Sequence, residues 1–345
     1  MAVDIDQRII TRLVTLGAFF LAYYAYYSYP TLPSRKISSG NAVYDPSVVD
    51  VLVVKAMLKK ALSLPPEIID SIVDLAEYWP HTTSEVSFEP PMTACGGLGR
   101  KENMFLLRSP PLGLHTWRRV SHRTNDPKPV DRAPLKPQPP GEEFSADDFQ
   151  ALIASPIPLL AHPCRRIVFT FKSHDQGWGG LPNDRGTYFG SWTWFEAGLE
   201  RWCKTNPAQT DSATQQAQQA PQPSLKLDDL CTVLPEVEQG PNSHGYAYNH
   251  TLHPREDLKI QCNLTAEKQS KVHRVVWSYV DDIDPERDVE AAERLAEQGR
   301  GKATGNAKFV RDLKLGDIVT IWAKARFGNW RNAVEWVKME VFYAV

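Results

Sequence analysis

Common catalytic and cofactor signatures are missing from this chain. It has no G-x-S-x-G elbow, no phosphate-binding Walker loop and no G-x-G-x-x-G behind a strand. Excess positive charge is also missing. The formal net charge is −2, with both signs interspersed, so duplex nucleic acid is not an expected partner. Cysteine is scarce: the 5 present (Cys95, Cys164, Cys203, Cys231, Cys262) are odd in number and show no C-x-x-C spacing. That argues against a zinc site or a disulfide framework and suits free thiols in a reducing compartment. No metal and no cofactor is expected. Alternation of strand and helix is lacking too, as is any internal repeat, which leaves antiparallel architectures. Proline, by contrast, is plentiful at 27 residues, and it clusters, so part of the length is linker rather than core.

Long apolar runs are confined to the N-terminus. Residues 1–35 contain one such segment, 9–29, uncharged from Leu13 onward, preceded by Arg8 and Arg12 and stopped by Pro30 and Pro33. Its length and tyrosine-rich far end fit a membrane anchor. An amphipathic or buried helix and a signal peptide are alternative readings of the same residues. The chain is therefore expected to be either membrane-anchored or cytoplasmic. Two triplets, Asn249-His-Thr251 and Asn263-Leu-Thr265, fit the glycosylation acceptor pattern, which would require luminal exposure.

Residues 44–82 read as a helical hairpin. Ser47 is placed to cap a first helix with Val48, Val49, Leu52, Val53, Ala56 and Met57 on one stripe. Leu64-Pro-Pro then opens a second helix bearing Ile68, Ile69, Ile72, Val73 and Trp79, ended by Pro80. This string, LPPEIIDSIVDLAEYWP, resembles the opening of an F-box. The resemblance implies that Leu64, Pro65, Ile68, Ile69 and Ile72 dock on the adaptor subunit of a cullin-type ubiquitin ligase.

Residues 86–345 read as strands separated by insertions. Arg166–Lys172 alternates with Ile167, Phe169 and Phe171 on one face, and Leu258–Ala266 and His273–Tyr279 follow the same period. The chain closes on two alternating runs, 317–327 and 333–343, expected to pair as a hairpin across 328–332. Three stretches, near 124–143, 204–225 and 283–308, are expected to be disordered or exposed insertions. The expected fold is mainly β. It is an antiparallel β-sandwich of jelly-roll or galactose-binding type, with an N-terminal αα-hairpin and an N-terminal apolar helix.

The candidate ligand site is a turn. A strand runs into Ser173-His-Asp-Gln-Gly-Trp178, where glycines allow positive φ and leave polar and aromatic side chains at a sandwich rim. Sugar binding needs an aromatic face beside planar hydrogen-bonding groups. His174, Asp175, Gln176, Trp178, Asn183, Asp184 and Arg185 supply such a set, joined by Trp330 and Arg331 at the closing turn. Trp192 and Trp194 share one strand face and are expected in the core. His174 beside Asp175 could also serve a glycan-directed enzyme if the turn brings them together, although no residue is assigned a catalytic role. His244, His250 and His253 crowd one loop at a spacing that matches no common zinc pattern.

Over residues 48–345 the chain resembles a family of fungal proteins. These pair an F-box-like helical start with a C-terminal domain carrying the SHDQGW string (Ser173–Trp178) and a second string spanning Gly316–Trp330. The expected function is a non-enzymatic binding or adaptor module that presents sandwich loops to a protein or a glycan. Its alternatives are a ubiquitin-ligase substrate receptor acting through 64–79 and the enzyme reading above.

Overall fold

A computed structural model describes residues 45–114, 133–145, 147–149, 162–204, 229–240 and 245–345. The 9–29 segment and His244 lie outside the described residues, as do 124–132 of the insertion 124–143 and 205–225 of the insertion 204–225. Among the described residues no helix is long and apolar enough to cross a membrane.

The chain divides into two compact units, residues 1–80 and 81–345. The first contains α1 (Val48–Leu62) and α2 (Pro66–Leu75). Ser47 caps α1 reciprocally: its hydroxyl accepts from the Asp50 N–H at 3.3 Å, and the Asp50 carboxylate accepts from the Ser47 N–H at 2.9 Å. Ser63 ends the helix in the left-handed region at φ 51°, and Lys55 pairs with Asp70 of α2 at 2.7 Å. The buried side of α1 centres on Val51, whereas Val49, Leu52, Val53 and Met57 are exposed. The expected stripe is thus the outward one. The helix is apolar nearly all round, so its periodicity does not select a face.

The second unit is mainly antiparallel sheet. One sheet runs β1-β12-β4-β10, from β1 (His81–Cys95), β12 (Arg331–Tyr343), β4 (Cys164–His174) and β10 (Lys271–Ser278). The other runs β2-β11-β5-β3, from β2 (Asn103–Arg108), β11 (Ile318–Ala325), β5 (Thr193–Lys204) and β3 (Glu142–Glu143). Two further strands, β6 (Leu230–Leu234) and β9 (Lys259–Cys262), also pair with β5. A small two-stranded sheet joins β7 (Val237–Gln239) to β8 (Tyr246–Tyr248).

Alternation places Ile167, Phe169 and Phe171 of β4 in register with Val341, Met339 and Val337 of β12 on one face. Phe195, Ala197 and Leu199 of β5 oppose Ala323, Ile321 and Val319 of β11. All of these side chains are buried, and the Phe171 and Phe195 rings stack with centroids 4.2 Å apart, joining the two sheets.

Two expectations are corrected. The closing runs form no hairpin: β11 pairs with β2 and β5, β12 pairs with β1 and β4, and residues 326–330 carry the chain from one sheet to the other. Every residue of β11 is buried, so both of its faces are covered, and such a strand belongs in a sheet interior. The stretch 283–308 is an ordered insertion. It holds α3 (Val289–Glu297) and leads into α4 (Lys308–Asp312), and it buries Ala292 and Leu295.

Candidate functional site

Three connections meet at one end of the second unit. They are the β1–β2 turn near residue 97, the β4–β5 loop 175–192 and the β11–β12 link 326–330. Register brings them together, because Cys95 pairs with Arg331, His174 with Ala333, and Thr193 with Ala325. Hydrogen bonds fasten them: the Gly96 N–H donates to the Trp330 carbonyl at 2.9 Å, and the Arg331 N–H donates to Gln176 Oε1 at 3.0 Å. Gly96 has no alternative residue without displacement, since a Cβ there would meet the Phe327 carbonyl oxygen at 2.0 Å.

The SHDQGW turn splits between anchor and surface. Asp175 is fully buried, and its carboxylate accepts the N–H groups of Gly177 and Ala266, each at 2.7 Å. Burial raises its pKa, while these backbone donors oppose the rise. Asp175 is therefore withdrawn from the ligand set; it folds the loop. The half-buried His174 holds Nδ1 2.5 Å from the Asp175 carbonyl oxygen, not from the carboxylate, so the two form no dyad. Gln176 also spends its amide internally, donating Nε2 to the Trp178 carbonyl at 2.6 Å while Oε1 takes the Arg331 N–H.

Of the other expected ligand residues, Asn183 and Arg185 are exposed and Asp184 is half-buried, with Arg185 Nε reaching the Gly179 carbonyl at 3.3 Å. Arg331 is exposed and Trp330 half-buried. Beside these polar groups and exposed Arg100, Lys101 and Asn329, this end offers large apolar side chains to solvent: Leu98 at 58%, Trp178 at 57%, Leu181 at 69%, Phe189 at 50% and Phe327 at 45% exposure. Trp192 is half-buried and packs edge-on against Phe327 at 4.4 Å, so it belongs to this patch rather than to the core. Trp194 is fully buried, on the face of β5 that points away from the other sheet.

That outward face of β5 and β11 carries a polar row that sequence reasoning missed. It consists of Glu196, Gly198 and Glu200 opposite Trp322, Thr320 and Ile318, with Lys324 opposite Trp194. Lys324 pairs with Glu196, and both are buried. Glu196 Oε1 also accepts from Trp194 Nε1 at 3.0 Å and from the Arg255 N–H at 3.1 Å. Arg108 forks onto Glu200 through Nε and Nη2, both at 2.8 Å. Burial lowers the Lys324 pKa against the pull of Glu196, and raises that of Glu200 against Arg108. The Tyr248 and His250 rings cover Trp322 at 5.5 and 5.0 Å.

His250 is held neutral, its pKa pushed down to about 3 by burial first and then by Lys324 and Arg326. A cavity of about 30 Å³, room for a water or two, lies between Glu196, Lys324, Trp322, Asn249 and Arg255. The available signal was the alternation of Glu196 and Glu200 with apolar neighbours, which reads equally well as a solvated face.

Among the described residues no group of three or more His, Cys, Asp or Glu could hold a metal ion. All five cysteines are free. Asn263 is buried, its amide bonded to Thr193 and Asn332, so the second glycosylation triplet lies in the interior. Of the adaptor-docking set, Pro65 and Ile68 are exposed, Leu64 and Ile72 half-buried, and Ile69 buried. No protein-family model, curated protein or solved structure matches the chain.

Proposed function

We propose that this protein is a non-enzymatic binding module whose recognition surface is the strand-end patch of Leu98, Trp178, Leu181, Phe189 and Phe327. We further read its second unit as a sandwich of jelly-roll or galactose-binding type and its helices as an αα-hairpin. One observation carries the functional reading: large apolar side chains stand exposed on three connections that hydrogen bonds hold together. An exposed apolar cluster on a fixed frame is characteristic of a partner site.

The same geometry favours a protein over a glycan. The planar polar groups that a sugar would need are already used, Asp175 by loop amides and Gln176 by Trp178 and Arg331. It also counts against the enzyme reading, which requires His174 and Asp175 to face a shared substrate. The test compares the wild type with Trp178→Asp and Phe327→Asp in proximity crosslinking and on a glycan array. Both variants should fold normally and lose the crosslinked protein partner. Unchanged crosslinking, or glycan binding abolished by either substitution, would redirect the reading.

A second reading rests on the first unit. Pro65 and Ile68, with Val49, Leu52, Val53 and Met57, form an exposed apolar surface, which supports docking to a ubiquitin-ligase adaptor. Purified adaptor should then bind the full chain and fail to bind Ile68→Asp.

A further inference from the structure

Two of the five cysteines lie side by side. Cys203 is the penultimate residue of β5, and Cys231 is the second residue of β6. The strands are antiparallel, with Arg201 opposite Cys231 and Trp202 opposite Leu230, so Cys203 and Cys231 are diagonal neighbours on one face. The two thiols are close enough to perturb one another, while the Cys203 S–H also reaches the Arg201 carbonyl at 3.6 Å. Gly141 belongs to the strap that continues into β3, where Glu143 pairs with Cys203. A side chain at 141 would meet the Lys204 carbonyl at 2.6 Å, so glycine permits this close approach.

The other three thiols lack such a neighbour. Cys164 and Cys262 are buried singly, and burial pushes each up to about 12. Cys95 is only half-buried and stands alone. Within the pair the roles are unequal. The neighbouring Cys203 thiol draws the Cys231 pKa down despite burial, while the same contact and burial push Cys203 up. Cys231 is also the more exposed, at 8% against 1%. A thiol of lowered pKa beside a second, resolving thiol is the arrangement of an oxidant-responsive cysteine pair.

We propose that Cys203 and Cys231 are an oxidative modification site that closes to a reversible disulfide, with a hydroperoxide as the oxidant. The Cys231 thiolate attacks the terminal peroxide oxygen. The O–O bond breaks, the departing alkoxide takes a proton, and Cys231 becomes a sulfenic acid. Cys203 then attacks the Cys231 sulfur, the S–S bond forms, and hydroxide leaves as water with the Cys203 proton. Two thiols and one hydroperoxide thus give one disulfide, one alcohol and one water. The product covalently ties β6 to the end of β5 and closes the chain between residues 203 and 231, which restricts the unfolded ensemble.

The experiment treats the reduced full-length chain with graded hydrogen peroxide, blocks remaining thiols, and maps peptides by mass spectrometry without reduction. The expected product is one crosslinked peptide pair containing Cys203 and Cys231, lighter by two hydrogens and restored by dithiothreitol, with Cys164 and Cys262 still alkylatable after unfolding. The oxidised protein should also melt at a higher temperature than the reduced one. In C203S, Cys231 should stop at the sulfenic acid and take a dimedone label, whereas C231S should leave Cys203 unlabelled. The wild-type mapping decides the matter even if a variant misfolds. A Cys203–Cys231 pair that stays reduced at peroxide doses that oxidise Cys95 would overturn the proposal, as would crosslinking of either residue to a different cysteine.

Discussion

At the residue scale, the second unit is unusual in burying charge on a sheet face rather than at an edge. Lys324 and Glu196 are 2% and 4% exposed, and Glu196 also receives the Trp194 indole and the Arg255 amide. A buried pair of this kind adds little net stability, yet losing one member strands the other without a counter-charge. Lys324→Met should therefore cost about 3–5 kcal/mol, because Glu196 loses its bonded ammonium and keeps only the Trp194 indole, the Arg255 amide and the fields of Arg255 and Arg326. The double variant Glu196→Gln with Lys324→Met should recover most of that loss. Urea denaturation of the single and double variants checks this, and equal losses in both would mean the two charges are not coupled. Nothing in the sequence marks Glu196 or Lys324 as buried. Alternation reports which residues share a face; it does not report that a second layer, here residues 248–255 with Tyr248 and His250, lies over that face.

At the scale of elements, the strands were legible and their partners were not. Ile167, Phe169 and Phe171 declare an inward face through period two alone, and they occupy it. The β11–β12 connection misleads because a short turn between two alternating strands carries the same pattern whether the chain returns in one sheet or crosses to the other. The SHDQGW turn was visible as a turn, through its glycines at φ 84°, 101° and 64° in positions 177, 179 and 180. Which of its side chains faced inward was not visible, since a loop has no periodicity to assign Asp175 inward and Trp178 outward.

The 283–308 insertion fails for another reason. Its apolar stripe is thin, and its order comes from contacts distant in sequence. Gly301 donates to the Lys259 carbonyl at 2.9 Å and Cys262 to the Gly299 carbonyl at 2.8 Å, while Leu295 is buried beside Ile283 and Gly305. Leu295→Ala should consequently destabilise the second unit by about 2–5 kcal/mol, the usual cost of emptying a core site. A solvated, independent insertion would show no change in the denaturation midpoint, so the measurement separates the two descriptions.

For the molecule as a whole, stability has a pH dependence seated in two histidines held neutral. Burial pushes His273 down to about 4, with Lys271 adding to the effect, and its Nε2 lies 3.1 Å from the Tyr188 hydroxyl. His250 is pushed down to about 3, with Lys324 and Arg326 as its cationic neighbours. In the unfolded chain both take up a proton near pH 6.5, the ordinary histidine value. Between that pH and the folded values the unfolded state therefore binds more protons than the native state, and stability falls as the solution is acidified. The slope is at most about 1.4 kcal/mol per pH unit for each histidine. Four buried carboxyls work in the opposite sense: burial raises Asp175, Glu200, Asp281 and Asp317 above their ordinary values, so the native state takes up their protons first on acidification, whereas Glu143, Asp148 and Glu335 are lowered and act in the histidines' sense. The histidine contribution is isolated by comparison with His250→Gln/His273→Gln. From pH 7 to pH 5 the wild type should lose more unfolding free energy than this variant, with the gap opening below pH 6.5. Parallel curves for the two proteins would show that neither imidazole is kept from its proton by the fold.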